Sequence, residues 1–393
     1  GLIGCSLSTH TFSGLVNKVD INISGTISNN LFAAGCVAYT DGSLKDCQSL
    51  GNIEIETNSI TGQLYYAGIS HNCRNVINCT NGSDKKDELN KYGNINVKSL
   101  YTQGYFSGIV TKAENGKITN CKNYGKIDIS GTQSSKANII LAGITSLCNS
   151  ATVKECYNYG DIEATTSTKT SNMFMGGIAC CTGGLNLYDC YNYGNITYKA
   201  EATSEAMLYI GGITNITGPY TYHNLYNYGN VAVYGTTATG LYLGGIVGRL
   251  NSFAELSGDI INEGVIIMGK TAKVTTSGKC AYVGGLFGGC NTAVRNITGD
   301  NIYSRGPIIV EEGANAAGGI YIGGVIGSLA EATSRNPKII GVKSACEILA
   351  DGRSNIGMII GTESNAEKVF FQKPFFVSVF SNFKSSSRFC ANA

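Results

Sequence analysis

The chain has 393 residues, of which 52 are glycine and 4 proline, with no tryptophan, 43% hydrophobic and 14% charged residues. A glycine share near twice the usual ~7 per cent, with ample apolar material and little charge, excludes a disordered chain or a proline-rich linker. Lysine plus arginine (29) nearly balances aspartate plus glutamate (27), so a net charge of +2 leaves no electrostatic footprint for nucleic acid or an anionic membrane.

The chain opens on Gly1-Leu2-Ile3-Gly4, which matches Gly285-Leu286-Phe287-Gly288 far downstream, so it is expected to start inside a repeat with sequence missing upstream. A small-Gly-Ile element then recurs at Gly35, Gly68, Gly108, Gly143, Gly177, Gly212, Gly245, Gly285 and Gly324, with Met358 in the last copy, at spacings of 33 to 40. A second landmark glycine, usually preceded by Tyr, stands at Gly51, Gly93, Gly125, Gly160, Gly194, Gly229, Gly264 and Gly306, at spacings of 32 to 42. A period of this size means a solenoid, because one unit cannot bury its apolar face without neighbours.

Columns within the repeat identify the structure. Ile53, Ile95, Ile127, Ile162, Ile196, Val231, Ile266 and Ile308 stand two residues after the Tyr-Gly landmark, and another mostly apolar residue two further on, from Ile55 to Val310. That period of two predicts a strand. The column between runs from Glu54 and Asp128 to Ile267 and Ile309, so the outer face changes from polar to apolar near residue 260. A second strand is predicted around the small-Gly-Ile element, where Tyr66, Phe106, Leu141, Met175 and Ile210 precede the glycines and Ile or its like follows; a third leads into the Tyr-Gly landmark, as at 187–192. The fold expected is all-β, a parallel β-helix (β-solenoid) of about ten repeats of roughly 35 residues, one three-strand turn per repeat, about 48 Å long at ~4.8 Å per rung. Landmarks lying 15 to 21 residues apart leave two short turns per repeat as the alternative. The repeats occupy residues 1–361, with a loop insertion at 81–90; residues 362–393, rich in phenylalanine from Val369 to Asn382, form a cap or tail that would cover the last open edge.

Gly1-Leu2-Ile3-Gly4, Gly245-Ile246-Val247-Gly248, Gly285-Leu286-Phe287-Gly288 and Gly324-Val325-Ile326-Gly327 resemble the Glug motif, a repeat family of bacterial adhesins and other surface or secreted proteins. Early copies lose the final glycine, as in Gly68-Ile69-Ser70-His71. The resemblance implies a β-solenoid on a cell-surface or exported protein, and it supplies no common catalytic residues.

Fifteen cysteines first suggest a disulfide framework. Four residues before the Tyr-Gly landmark, however, the column reads Cys47, Leu89, Cys121, Cys156, Cys190, Leu225, Ile260 and Ile302, so cysteine fills a slot that accepts Leu or Ile and acts there as a small hydrophobe. In-register Cβ atoms about 4.8 Å apart also exceed the 3.5–4.5 Å that a disulfide takes. Disulfides are expected instead among Cys73, Cys79, Cys180, Cys181, Cys280 and Cys290, near turns. Zinc finds no ligand set: Cys180-Cys181 lacks a partner CxxC, and the histidines are His10, His71 and His223. No metal or other cofactor is expected.

Three further columns are readable. Asn123, Asn158, Asn192, Asn227 and Asn262, two before the landmark, predict an internal amide ladder. With Cys and Asn pointing inward, alternation turns Tyr157, Tyr191, Tyr226 and Tyr303, and Tyr92, Tyr124, Tyr159, Tyr193 and Tyr228, outward as a two-column aromatic strip, most complete at Tyr157, Tyr159, Tyr191, Tyr193, Tyr226 and Tyr228. It is the candidate binding face, for sugar rings or a protein, or a lateral assembly face; the bland reading is that the phenols only stack on each other. Five before the landmark, Asp46, Glu88, Asn120, Glu155, Asp189, Asn224, Asp259 and Asn301 form an acidic-amide column, read as a solvated edge with calcium as the sharper alternative.

Catalysis on such a fold would need clustered carboxylates or cations; Arg249, Asp259 and Glu263, and Arg295, Asp300 and Arg305, are the candidates, without a nucleophile elbow, phosphate loop or histidine pair. Sequons at Asn22, Asn78, Asn81, Asn195, Asn215 and Asn296 accord with export but are near chance in so Asn-rich a chain. No apolar run reaches the ~18 residues of a spanning helix. The sequence therefore points to a non-catalytic extracellular or cell-surface β-solenoid, an adhesive stalk or fibre subunit that self-assembles or binds a glycan or host-surface ligand, against the alternative of a polysaccharide lyase or glycoside hydrolase.

Overall fold

Strands with one apolar face, renewed every 33 to 40 residues, leave each repeat dependent on the next for burial. In the computed structural model that dependence is met by a parallel β-solenoid. The structure describes residues 1–376 except 8, 61, 85–91, 100–102, 132–137, 167–171, 182–183, 202–203, 218–220, 251–254, 291–295, 330–337, 351–353, 364–369 and 373–374. One repeat makes one coil. Asn172–Gly176 lies in a first sheet, Ala179–Cys181 in a second, Leu185–Asn192 in a third and Ile196–Ala200 in a fourth, and Met207–Gly211 then re-enters the first. Among the described residues the first and fourth sheets each hold ten strands, close to the ten repeats expected. From Thr236 onward the longer repeats add a small fifth sheet of Thr236–Thr237, Lys273–Val274 and Asn315–Ala316.

The three strands expected per turn are four, because the strand around the small-Gly-Ile element is bent in two at its glycine. The bend pinches the coil. Isoleucines of the fourth sheet and residues such as Met175 and Ile210 of the first form one core lobe, while the second and third sheets enclose another holding Ile178, Ile213, Val153 and Cys156. Between the lobes the glycine backbone lies directly on the asparagine column: a Cβ added at Gly177 would stand 2.3 Å from Asn192 Cγ and 2.2 Å from the Gly212 carbonyl oxygen. Only glycine fits the waist where the asparagine column lies beneath it; in the last coil, beyond that column, Met358 takes the place. Outside it the first and second sheets form a concave corner, filled by a small third cluster of Tyr105, Ile140, Ala142, Phe174 and Cys180.

At the ends, Leu2, Leu7, Val16, Val19 and Phe32 of the first coil are exposed. Of the expected cap, Phe370–Gln372 and Phe375–Phe376 pair parallel with Lys338–Ser344, continuing the third sheet by another coil; residues 377–393 lie outside the described residues. The described residues contain no helix, and so none long and apolar enough to cross a membrane.

Candidate functional site

The strip is built by the third sheet and the corner that follows it. Cys156 and Asn158 point inward and are fully buried, so Tyr157 and Tyr159 between and beyond them point out; the same holds for Tyr191 and Tyr193 and for Tyr226 and Tyr228. Parallel in-register pairing repeats each ring one rung on. In the inner column Tyr157, Tyr191 and Tyr226 stack at 5.0 and 4.8 Å between centroids, with interplanar angles of 5° and 1°. In the outer column Tyr124, Tyr159, Tyr193 and Tyr228 stack at 4.7, 5.0 and 4.9 Å, with angles of 5°, 6° and 8°. The two columns meet at Tyr157 and Tyr159, 6.3 Å apart. The six tyrosines of the most complete stretch are thus brought together, and Tyr124 continues the outer column as expected. Tyr159, Tyr193 and Tyr228 are 38%, 42% and 39% exposed, whereas the inner column is half-buried.

Partial burial first, then neighbouring phenols and carboxylates, raises Tyr157, Tyr159, Tyr191, Tyr226 and Tyr228 above the ordinary tyrosine value, and Tyr124 is pushed up to about 12. Tyr226 Oη donates to Asp259 Oδ2 at 2.9 Å. At the other end Lys122 Nζ lies 5.8 Å from the Tyr157 ring centroid. Beyond Tyr228 the outer column passes to Glu263, held by Arg305 at 2.9 Å.

Beneath the strip runs the asparagine ladder. Asn123 Nδ2 donates to Asn158 Oδ1, Asn158 to Asn192, Asn192 to Asn227 and Asn227 to Asn262, at 2.7–2.8 Å, and each also donates to the landmark glycine carbonyl two residues on, at 2.8–2.9 Å. The ladder begins earlier than expected, with Asn81 donating to Asn123 at 2.8 Å. The cysteine column beside it likewise contains Cys79 where Leu89 was expected; Leu89 and Glu88 lie outside the described residues.

The disulfides expected near turns do not form at Cys73, Cys79, Cys280 and Cys290, which are free thiols because the first, second and fourth pack into the apolar lobe rather than toward each other. Cys180 is buried and donates to the Leu141 carbonyl at 3.0 Å; the Cys181 side chain lies outside the described ones. The acidic-amide column is a turn element. Asp46, Asn78, Asn120, Glu155, Asp189 and Asn224 all have φ of 51° to 55°, the left-handed region that Asn and Asp tolerate best. Amides also bridge the rungs, Asn78 to Asp46 at 3.0 Å, Asn120 to Asn78 at 2.9 Å and Asn224 to Asp189 at 2.8 Å. At Asp259 the register slips and the left-handed position passes to Gly258. Among the described residues no three His, Cys, Asp or Glu are grouped to hold a metal.

Arg249 stands on the second sheet, 4.9 Å over the Tyr242 ring, and is not brought to Asp259 and Glu263, which flank the strip. Arg295 and the Asp300 side chain lie outside the description. Asn81 and Asn215 are buried, so those two sequons are not accessible to glycosylation in the folded chain. Two columns escaped the sequence reading. Asp20, Asn52 and Asn94, then Asp161, Asn195 and Asn230, each accept a backbone N–H from the next rung at 2.7–3.0 Å; the signal is an Asn or Asp directly after the landmark glycine, except at Asp20, which follows Val19. Phe32, Tyr65 and Tyr105, then Phe174, Tyr209, Tyr242, Tyr282 and Tyr321, stack along the concave corner.

Set beside protein-family models, curated proteins and solved structures, the chain matches none.

Proposed function

We propose that the chain is a non-catalytic structural or adhesive β-solenoid of an extracellular or cell-surface protein, a stalk or fibre subunit, and that Tyr157, Tyr159, Tyr191, Tyr193, Tyr226 and Tyr228 are its binding face. One observation carries this reading. Past the first coil, the large hydrophobic side chains exposed among the described residues are Tyr159, Tyr193 and Tyr228, side by side on one strip. Tyrosine supplies rigid amphipathic contact area at low entropic cost, and an exposed apolar patch on an otherwise polar surface marks an interaction site. The resemblance to Glug repeats supports the cell-surface setting.

The test is binding of the purified chain to glycan arrays and to cell surfaces, together with its self-association, for wild type and for Tyr191→Ala/Tyr226→Ala. The double variant is expected to keep its circular dichroism and to lose whichever interaction the wild type makes. A variant that binds and assembles normally removes the strip from the account. Incubation with acidic polysaccharides is expected to release no unsaturated or reducing-end products; their release would favour the enzyme reading.

A further inference from the structure

Resting on the strip as a binding face, we infer that its partner is a second copy of this chain, packed strip to strip with the two solenoid axes antiparallel. The ring geometry carries the first step. With centroids 4.7–5.0 Å apart and planes within 8° of parallel, the flat faces of these rings cover one another, leaving edges and hydroxyls to the outside. Stacking of a sugar ring needs an open face, which the interior of the strip does not offer. A row of ring edges repeating once per rung instead fits a surface with the same repeat, and a second strip has it: once one pair of rings meets edge to edge, every pair does, as between paired sheets of identical side chains.

Charge fixes the direction. In the inner column Lys122 pairs with Tyr157, Tyr157 with Tyr191, Tyr191 with Tyr226 and Tyr226 with Ile261. Lys122 therefore lies two rungs below Tyr191, and Ile261, with Asp259 beside it, two rungs above. A two-fold axis through the Tyr191–Tyr193 rung, perpendicular to the solenoids, brings Lys122 of each copy to the height of Asp259 in the other. Parallel axes would set Lys122 level with Lys122. An isologous contact of this kind is self-complementary and closes at two copies.

The area sets the strength. Three rings about 40% exposed offer roughly 250–300 Å² per copy, short of the ~800 Å² per partner of a standard interface, so the pairing is transient unless many strips act together along a fibre. Sedimentation velocity of the full chain over a concentration series up to about millimolar reads it directly. Wild type is expected to shift reversibly toward dimer. Tyr159→Ser/Tyr193→Ser/Tyr228→Ser should weaken the dimer at least about tenfold while melting as wild type does. Lys122→Glu and Asp259→Lys should each weaken it, and the double swap should restore it. A wild type that stays monomeric throughout, a dimer indifferent to the triple variant, or a double swap that regains nothing overturns the inference. Should the triple variant lose glycan or cell-surface binding while wild type stays monomeric, the strip is a binding face for another ligand and only the self-pairing fails.

Discussion

Asn192 makes three hydrogen bonds without reaching solvent: it accepts from Asn158 and donates to Gly194 and Asn227. Replacing it by leucine strands an amide proton of Asn158 and the Oδ1 of Asn227, at about 1–3 kcal/mol for each buried group left unpaired, and presses a branched side chain against Gly177. Asn192→Leu is therefore expected to cost about 2–4 kcal/mol, read as a fall in the urea midpoint and melting temperature. Unchanged stability would break the ladder assignment. The neighbouring turn column offers the opposite sign. Glu155 occupies the left-handed position at φ 54°, between Asn120 and Asp189 on adjacent rungs. Glu155→Asn relieves part of a left-handed cost of about 1–2 kcal/mol and adds an amide that can bridge to the neighbouring rungs, so it should raise the melting temperature, whereas Glu155→Val should lower it. The asparagine ladder was legible from Asn123 to Asn262 because each stands two residues before a landmark glycine. Asn81 was not, because an insertion separates it from Gly93; the signal that would have found it is Cys79-Thr80-Asn81, the same cysteine–asparagine spacing as Cys121-Lys122-Asn123.

At the scale of the element, the concave corner beside the waist explains the further glycines of the repeat. A Cβ on Gly244 would meet the Val247 carbonyl oxygen at 2.1 Å and the Gly288 nitrogen at 2.7 Å, and one on Gly288 the Leu243 nitrogen at 2.5 Å. Two strands cross the concave corner backbone to backbone, with no flexible side chain able to yield. Gly244→Ala is expected to cost about 3 kcal/mol or more in chemical unfolding, at the top of the range for overpacking. Gly4→Ala, where an added Cβ has nothing within 4 Å, should be silent. Equal effects would mean that the corner is not closed as described. The strands themselves were readable, since apolar residues two apart are a local signal, and so was the stacking, since it follows from the period. The division of one predicted strand into two was not, because the bend comes from contact with an asparagine corner about 15 residues away, as between Gly177 and Asn192, and not from any break in alternation. The aromatic column on the corner is present three residues before the small-Gly-Ile glycines, as Phe32, Tyr65, Tyr105, Phe174, Tyr209, Tyr242, Tyr282 and Tyr321, interrupted by Ile140 before Gly143. Nothing local marks it as covered, because an aromatic on the outer face of a strand has the same alternation whether that face meets solvent or, as here, is folded by the pinch into a small core of its own.

For the whole molecule, stacking gathers scattered cysteines into one buried lobe, where the thiols pushed up by burial report on the integrity of the rod. Cys36, Cys73 and Cys190 are each pushed up to about 12, foremost by burial, and Cys121 also lies well above its ordinary value. In the unfolded chain the same thiols ionise near 9. Between these values the folded state keeps protons that the unfolded state has released, so by linkage stability falls as pH rises. The contribution is intact below about pH 9 and is lost progressively toward 12. Phenols raised by burial, such as Tyr65 and Tyr242, add a loss of the same sign at higher pH. The urea midpoint is thus expected to be level from about pH 6 to 8 and to drop steadily above 9. A Cys121→Val/Cys190→Val variant, which keeps volume and removes two ionisable groups, should show a shallower drop. Over the same range an aromatic disulfide reagent at pH 8 should leave the column unmodified in the folded chain and titrate it in urea, because the thiolate is the nucleophile and neither it nor the reagent has access to the lobe. A midpoint level through pH 11, or rapid modification of Cys121 without denaturant, would show that the lobe enclosed by the second and third sheets is open to water, and with it the stacking from which the tyrosine strip takes its spacing.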